Sequence, residues 1–360
     1  HSLAGPQQFQ NYLQRLPPMT LVYSLWLALM VAGAAWLLRR VDDRAGDRRA
    51  AEIALILLVW LLVPPIFFTW FPGDVALHYL LPIYPVPFIL AGLGMQRVES
   101  RAAPFMSVAL VVSAAVQIYA WAALLGLVST QATPGGFGPP LALNLGAVQE
   151  VRHMAVQNGA QEVLLASSGE DPGQSEFAAV YDMLLWDVPH RFVDATHHAV
   201  FPAAPAVVLL DAALLEDQIA LYSQAATAQR TAPLRAGEGA LQVLLLPANA
   251  APAPGETLPE PAILSNFVKI MGYSAVLPSA GNDTLQWQLH WQTADSPVPQ
   301  DYHFFNHLLD ADGERVAQSD APVFDPAQWR QGDVVVSTFT LPLPGAAVPP
   351  FLVRSGMYHY

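Results

Sequence analysis

Four short stretches hold residue types that could do chemistry. In FPGDVALHYLLPIYP, Asp74, His78 and Tyr79 stand at the head of an apolar run that contains Pro82 and Pro85, with Pro87 just beyond. Such a rim could meet a polar lipid headgroup, and the plain alternative is an interfacial loop with ordinary polar residues. In ASSGEDPG, Ala166–Gly173, two serines and two acids follow a strand-like run, the position of ligand loops in α/β sheets. It has neither the dinucleotide glycine spacing nor a P-loop lysine, and Ser167 and Ser168 lack the nucleophile-elbow pattern. His197 and His198 are adjacent, so in most backbones they point apart, and no third metal ligand is spaced nearby; they read as an exposed loop. His303 and His307 lie four apart in a strand-like run, about 13 Å at strand rise, too far to share a metal.

The elements that must position these residues follow from composition. The chain has 360 residues, 53% hydrophobic and only 12% charged, with a net charge of −13. High hydrophobicity with few charges indicates a membrane protein, and the acidic balance argues against a nucleic-acid partner. Lys269 is the only lysine, and the absence of cysteine excludes disulfides, thiol catalysis and cysteine-rich zinc sites. The start at His1 and the end at MYHY read as a piece of a longer protein.

Four apolar runs are long enough to span a bilayer, which takes roughly 20 residues: about 20–38, 51–71, 79–95 and 105–127. Arginines stand at 39, 40, 44, 48 and 49 between the first two, and at 97 and 101 between the last two. The loop holding Asp74 and His78 has none. By the positive-inside rule the arginine loops are cytoplasmic, and that loop and everything after residue 127 are extracytoplasmic. Prolines in the third run are tolerable where neighbouring helices or water satisfy the freed backbone groups.

Beyond TPGGFGPP the texture changes to alternating helix and strand over 142–248, which predicts a small α/β domain. Residues 249–263, rich in proline and alanine, read as a linker. From 264 to 360 the pattern is strand-like. In LQWQLHWQ, Leu285, Trp287, Leu289 and Trp291 alternate with polar residues, apolar side inward. Regular turns such as Asp310–Gly313 predict an Ig-like antiparallel β-sandwich. The expected fold is thus multi-domain: four α-helical transmembrane spans, an α/β domain and a C-terminal sandwich.

The stretch DVALHYLLPIYPVPFILAGLG resembles the late spans of the GT-C membrane glycosyltransferases of the protein mannosyltransferase/aminoarabinose transferase type, in which a basic residue precedes Y-L-L-P-x-Y-P. Here His78 takes the basic place. The pieces HWQT, FFNHLLDADG, WRQGD and FTLPLP resemble the sandwich appended to some bacterial members. Together the two cover about a third of the chain. The resemblance implies a multi-pass cell-membrane enzyme that moves sugar from a polyprenyl-phosphate donor outside the cytoplasm, with the lipid bilayer as its other partner. Asp74, His78 and Tyr79 become candidates for the donor headgroup. The family's catalytic acid belongs to an early outer loop that no residue here matches, so no catalytic residue is assigned and the chain alone is expected to be inactive. No cofactor is evident, and a divalent metal is left open only for the part of the protein outside this sequence. The competing readings are a membrane-anchored surface module that binds glycan or protein without catalysis, and a transporter. The latter should carry ionisable groups within its spans, and these runs hold almost none.

Overall fold

The computed structural model describes residues 14, 16–17, 19–42, 48–70, 83, 85–96, 102–133, 138–214, 216–276, 284–293, 301–343 and 351–359. The chain forms two compact units, 1–136 and 137–360.

In the first unit, three helices are long and apolar enough to cross a membrane: α1 (Met19–Asp42), α2 (Arg48–Thr69) and α4 (Ala103–Thr130). The run expected to span over 79–95 is helical in α3 (Pro85–Met95), 11 residues. At about 1.5 Å per residue that is about 16 Å, half a hydrocarbon core. Proline explains why the helix begins where it does. Pro85 and Pro87 sit in the first turn, where backbone N–H groups have no intrahelical partner to lose. The described residues thus hold three membrane-length helices and one of half that length.

α1 and α3 touch backbone to backbone. A Cβ on Gly33 would lie 2.0 Å from the Leu90 carbonyl oxygen, and one on Gly94 would lie 2.2 Å from that of Leu29. Small residues allow such contact where no hydrophobic effect drives helices together. Trp26 Nε1 donates to Ser113 Oγ at 2.8 Å, and Gln117 Nε2 approaches the same oxygen at 3.3 Å, so the one buried hydroxyl of α4 is satisfied across helices. Ile56, Val63, Ile66, Val111 and Ile118 remain exposed, as lipid-facing side chains must.

The second unit begins with α5 (Leu141–Asn158), β1 (Glu162–Ser167), α6 (Glu176–Leu184), β2 (His190–Asp194), β3 (His198–Phe201), β4 (Ala206–Leu210), α7 (Glu216–Ala225), β5 (Ala228–Pro233) and β6 (Ala240–Leu246). Ser175 caps α6 by accepting from Ala178 N–H. Five strands form a sheet in the order β2-β1-β4-β6-β5, parallel across β2, β1 and β4 and antiparallel beyond. β1 and β4 are buried on both faces, so they read as unbroken apolar runs. Val163, Leu165, Val207 and Leu209 pack under α5 and α6, while Leu164, Ala166, Val208 and Leu210 face a second core shared with the remaining strands.

Those strands are β7 (Glu256–Ile263), β8 (Lys269–Val276), β9 (Thr284–Gln292), β10 (Tyr302–Leu309), β11 (Arg315–Pro322), β12 (Val334–Pro342) and β13 (Leu352–His359). They build a five-stranded sheet, β3-β12-β9-β8-β7, and a three-stranded sheet, β11-β10-β13. Trp291 meets Phe304 across the two with ring centroids 5.7 Å apart. Trp287 and Trp291 point into this core as the alternation predicts.

Three sequence expectations need correction. His198 is not in an exposed loop: it opens β3, which leaves the α/β half and pairs antiparallel with β12, His198 opposite Ser337 and Phe201 opposite Val334. A four-residue strand is too short to show a period. For the same reason the boundary between 142–248 and 264–360 is not a structural break, because 137–360 is one compact unit. Finally, the 249–263 linker contains β7. Pro259 and Pro261 lie where its pairing with β8 lapses, between Thr257 and Ala262, as suits an edge strand whose prolines cannot donate. The strands expected to form an Ig-like sandwich form a five-stranded and a three-stranded sheet, the larger of which takes in β3 from the α/β half.

Candidate functional site

Asp74, His78 and Tyr79, the donor-headgroup candidates, lie outside the described residues. Within the second unit, polar side chains converge where β1 and β2 end. Ser167 donates to the Gly169 carbonyl at 2.7 Å, and Asp171 accepts from Gly173 N–H at 2.7 Å, so local bonds hold the ASSGEDPG loop. Glu170 differs. One of its carboxylate oxygens is buried without a hydrogen-bond partner. Burial, with Asp325 and Asp194 close by, pushes its carboxyl up to about 7, although a backbone hydrogen bond at Asp194 pulls the other way.

His198 sits nearby in the opposite situation. Trp291 Nε1 donates to Ser337 Oγ at 2.9 Å, and Ser337 Oγ lies 2.9 Å from His198 Nδ1. The indole can only donate, so the serine hydrogen is free for Nδ1 and the imidazole is neutral with its proton on Nε2. Burial holds its pKa down to about 4, against a weaker upward pull from Asp194. His197 and His198 belong to no group of three metal-ligating side chains among the described residues.

Beside the 195–197 turn opens a cleft of about 370 Å³. Pairing between β3 and β12 stops at Ser337, and the cleft occupies the side of β12 that β3 leaves uncovered. Asp217 and Gln218 of α7, Gln286 and Gln288 of β9, Asp320 of β11 and Thr340 of β12 line it. Carboxylates, amides and hydroxyls are present beside the imidazoles of His197 and His198, and the described lining holds no lysine or arginine. Such a surface offers hydrogen bonds in both directions.

A second polar cluster is structural. Arg191 of β2 makes two bonds to Glu162, at 2.9 and 2.6 Å, and one to Asp333 at 2.5 Å. Arg330 reaches Glu162 at 2.9 Å. Burial works against the Arg191 charge, but its bonds to Glu162 and Asp333 outweigh it and hold the guanidinium above its usual range. Burial pushes Asp333 up against the pull of Arg191. The cluster ties β1 and β2 to the start of β12.

His303 and His307 lie partly exposed on one face of β10, next to Tyr358 and Phe305 respectively. Among the described residues no group of three His, Cys, Asp or Glu side chains is arranged to hold a metal. Sequence reasoning reached the loop that carries Glu170 but not the residue, because the carboxylates that act on it, Asp194 and Asp325, are brought to it by the fold.

Comparison with known proteins finds no matching family model, no matching curated protein and no matching solved structure. What the chain shows is a multi-domain, membrane-associated protein: three membrane-length helices followed by a mixed α/β and β unit.

Proposed function

We propose that this chain is part of an integral-membrane glycosyltransferase that takes sugar from a polyprenyl-phosphate carrier at the extracytoplasmic face. The observation that supports it is the combination of membrane-length helices with a following unit that carries a cleft lined by carboxylates, amides and hydroxyls. In this reading the helices meet the carrier's hydrocarbon, Asp74, His78 and Tyr79 meet its headgroup, and the cleft receives a neutral polar group such as a sugar. No described residue is assigned the transfer step.

The test is a titration of the full chain in lipid nanodiscs with a polyprenyl-phosphate sugar. His78→Ala weakens binding by about tenfold to a hundredfold, the roughly 1.5–3 kcal/mol of a hydrogen bond to a charged group. His78→Arg keeps or tightens it, because arginine stays charged and grips phosphate with two bonds. Absence of donor binding by the unaltered protein overturns the function. Equal affinity in all three overturns the headgroup role alone. A membrane-anchored module that binds glycan or protein without catalysis is the second reading. It predicts cleft binding of free sugar with no donor binding.

A further inference from the structure

The two facing sheets of the second unit are unequal. The order β11-β10-β13 places β13 at one edge of the three-stranded sheet, and β8 and β7 lie beyond β9 in the five-stranded one. Trp287 of β9 donates to Ser355 of β13 at 3.1 Å, which sets the last strand of the small sheet over β9. Burial follows this mismatch. On the inner face of β9, Leu285, Trp287 and Leu289 are buried, whereas on that of β8, Ile270 and Tyr273 are only half-buried and Ala275 is exposed. Leu352 of β13 is 59% exposed. A cavity of about 940 Å³ lies between the sheets here, lined by these residues.

Its chemistry is narrow. Among the described residues the lining holds no charged side chain, and apart from the Tyr273 hydroxyl and the Trp287 indole N–H its polar side chain is Ser355, whose Oγ accepts from Trp287 and donates to Asn306 Oδ1 at 2.7 Å. Sugars, nucleotides and extended peptides would lose hydrogen bonds there without replacement, at a cost in affinity. An apolar chain would instead bury surface that now faces water, at about 25 cal/mol per Å². The volume lies at the upper end of small-molecule sites. A chain with membrane-length helices works next to a reservoir of such solutes.

We propose that this open side of the sandwich is a binding site for the hydrocarbon chain of a lipid, acyl or prenyl, with the lipid's polar end left outside. The site is distinct from the polar cleft and does not depend on the glycosyltransferase reading.

The test uses the full chain in nanodiscs with two photoactivatable probes, a diazirine fatty acid and a diazirine farnesol, and maps the labelled residues by mass spectrometry. Both label the membrane helices, which serve as an internal control. The expected additional labels fall on β8, β9 and the start of β13. Ala275→Trp, which fills the cavity, and Leu352→Asp, which places a charge at its exposed wall, each reduce those labels at least fivefold. Labelling of the helices is unchanged. Competition with unlabelled fatty acid or farnesol tells the acyl from the prenyl source. Absence of sandwich labels in the unaltered protein overturns the proposal. So do labels that persist in whichever variant keeps its near-ultraviolet circular dichroism. Sandwich labelling without binding of a polyprenyl-phosphate sugar would remove the glycosyltransferase reading and leave this site standing.

Discussion

Glu170 and His198 give the second unit two opposed responses to pH. Glu170 titrates at about 7 in the folded protein against an ordinary 4.5. The fold therefore keeps a proton that the unfolded chain has lost, and this group's contribution to stability falls as pH rises from about 4.5 to about 7. His198 titrates at about 4 against 6.5. Here the unfolded chain takes up a proton that the fold refuses, so its contribution falls as pH drops from 6.5 towards 4. Glu170→Gln should raise the melting temperature at pH 8 and change it little at pH 4.5. His198→Asn should flatten the acid limb, shrinking the stability difference between pH 6.5 and pH 4 by up to about 3 kcal/mol. Denaturant melts across the pH range check both. These two residues also mark the limit of sequence reading. The inward face of Trp287 and Trp291 is legible because alternation is local. The partner of His198 is Ser337, 139 residues away, and nothing near His198 in sequence announces it.

At the scale of elements, two junctions depend on single residues. Arg191→Met leaves the buried Asp333 without a guanidinium and Glu162 with Arg330 alone, and should cost about 3–5 kcal/mol. Adding Glu162→Gln and Asp333→Asn should recover much of it, which urea unfolding of the single and triple variants measures. In the membrane unit, Gly33→Leu must force α1 away from α3, because even a Cβ there would overlap the Leu90 carbonyl. The expected result is a lower unfolding temperature in detergent. Gly92→Ala, whose Cβ meets open space, should leave it unchanged. The apolar runs themselves were legible from length and composition. The extent of α3 was not, because a hydropathy window counts Pro82, Pro85 and Pro87 as part of the run without registering where helical hydrogen bonding can begin.

At the scale of the molecule, residues 137–360 form one compact unit and should fold as one. Pieces cut at the expected linker, 142–248 and 264–360, should each aggregate or stay partly unfolded, because the cut separates β3 from β12. Size-exclusion chromatography and circular dichroism of the three chains distinguish these outcomes. If the arginine loops are cytoplasmic, an impermeant thiol reagent applied to intact cells should label a cysteine placed at exposed Asp312 and spare one placed at Arg44. The absence of native cysteine makes that readout clean. The borrowed strand also sets a timetable. β3 closes its ladder onto Val334–Ser337, and at roughly 5–20 residues per second of synthesis its partner follows by about 7–28 s. Helices and the parallel strands can form from neighbours as the chain emerges, but this contact is among the least local in the fold and must come late. Until then Val200 and Phe201, enclosed in the finished protein, belong to a strand whose ladder partner has not been made. A holdase that recognises short bare strands would find its longest opening on the nascent chain at that point.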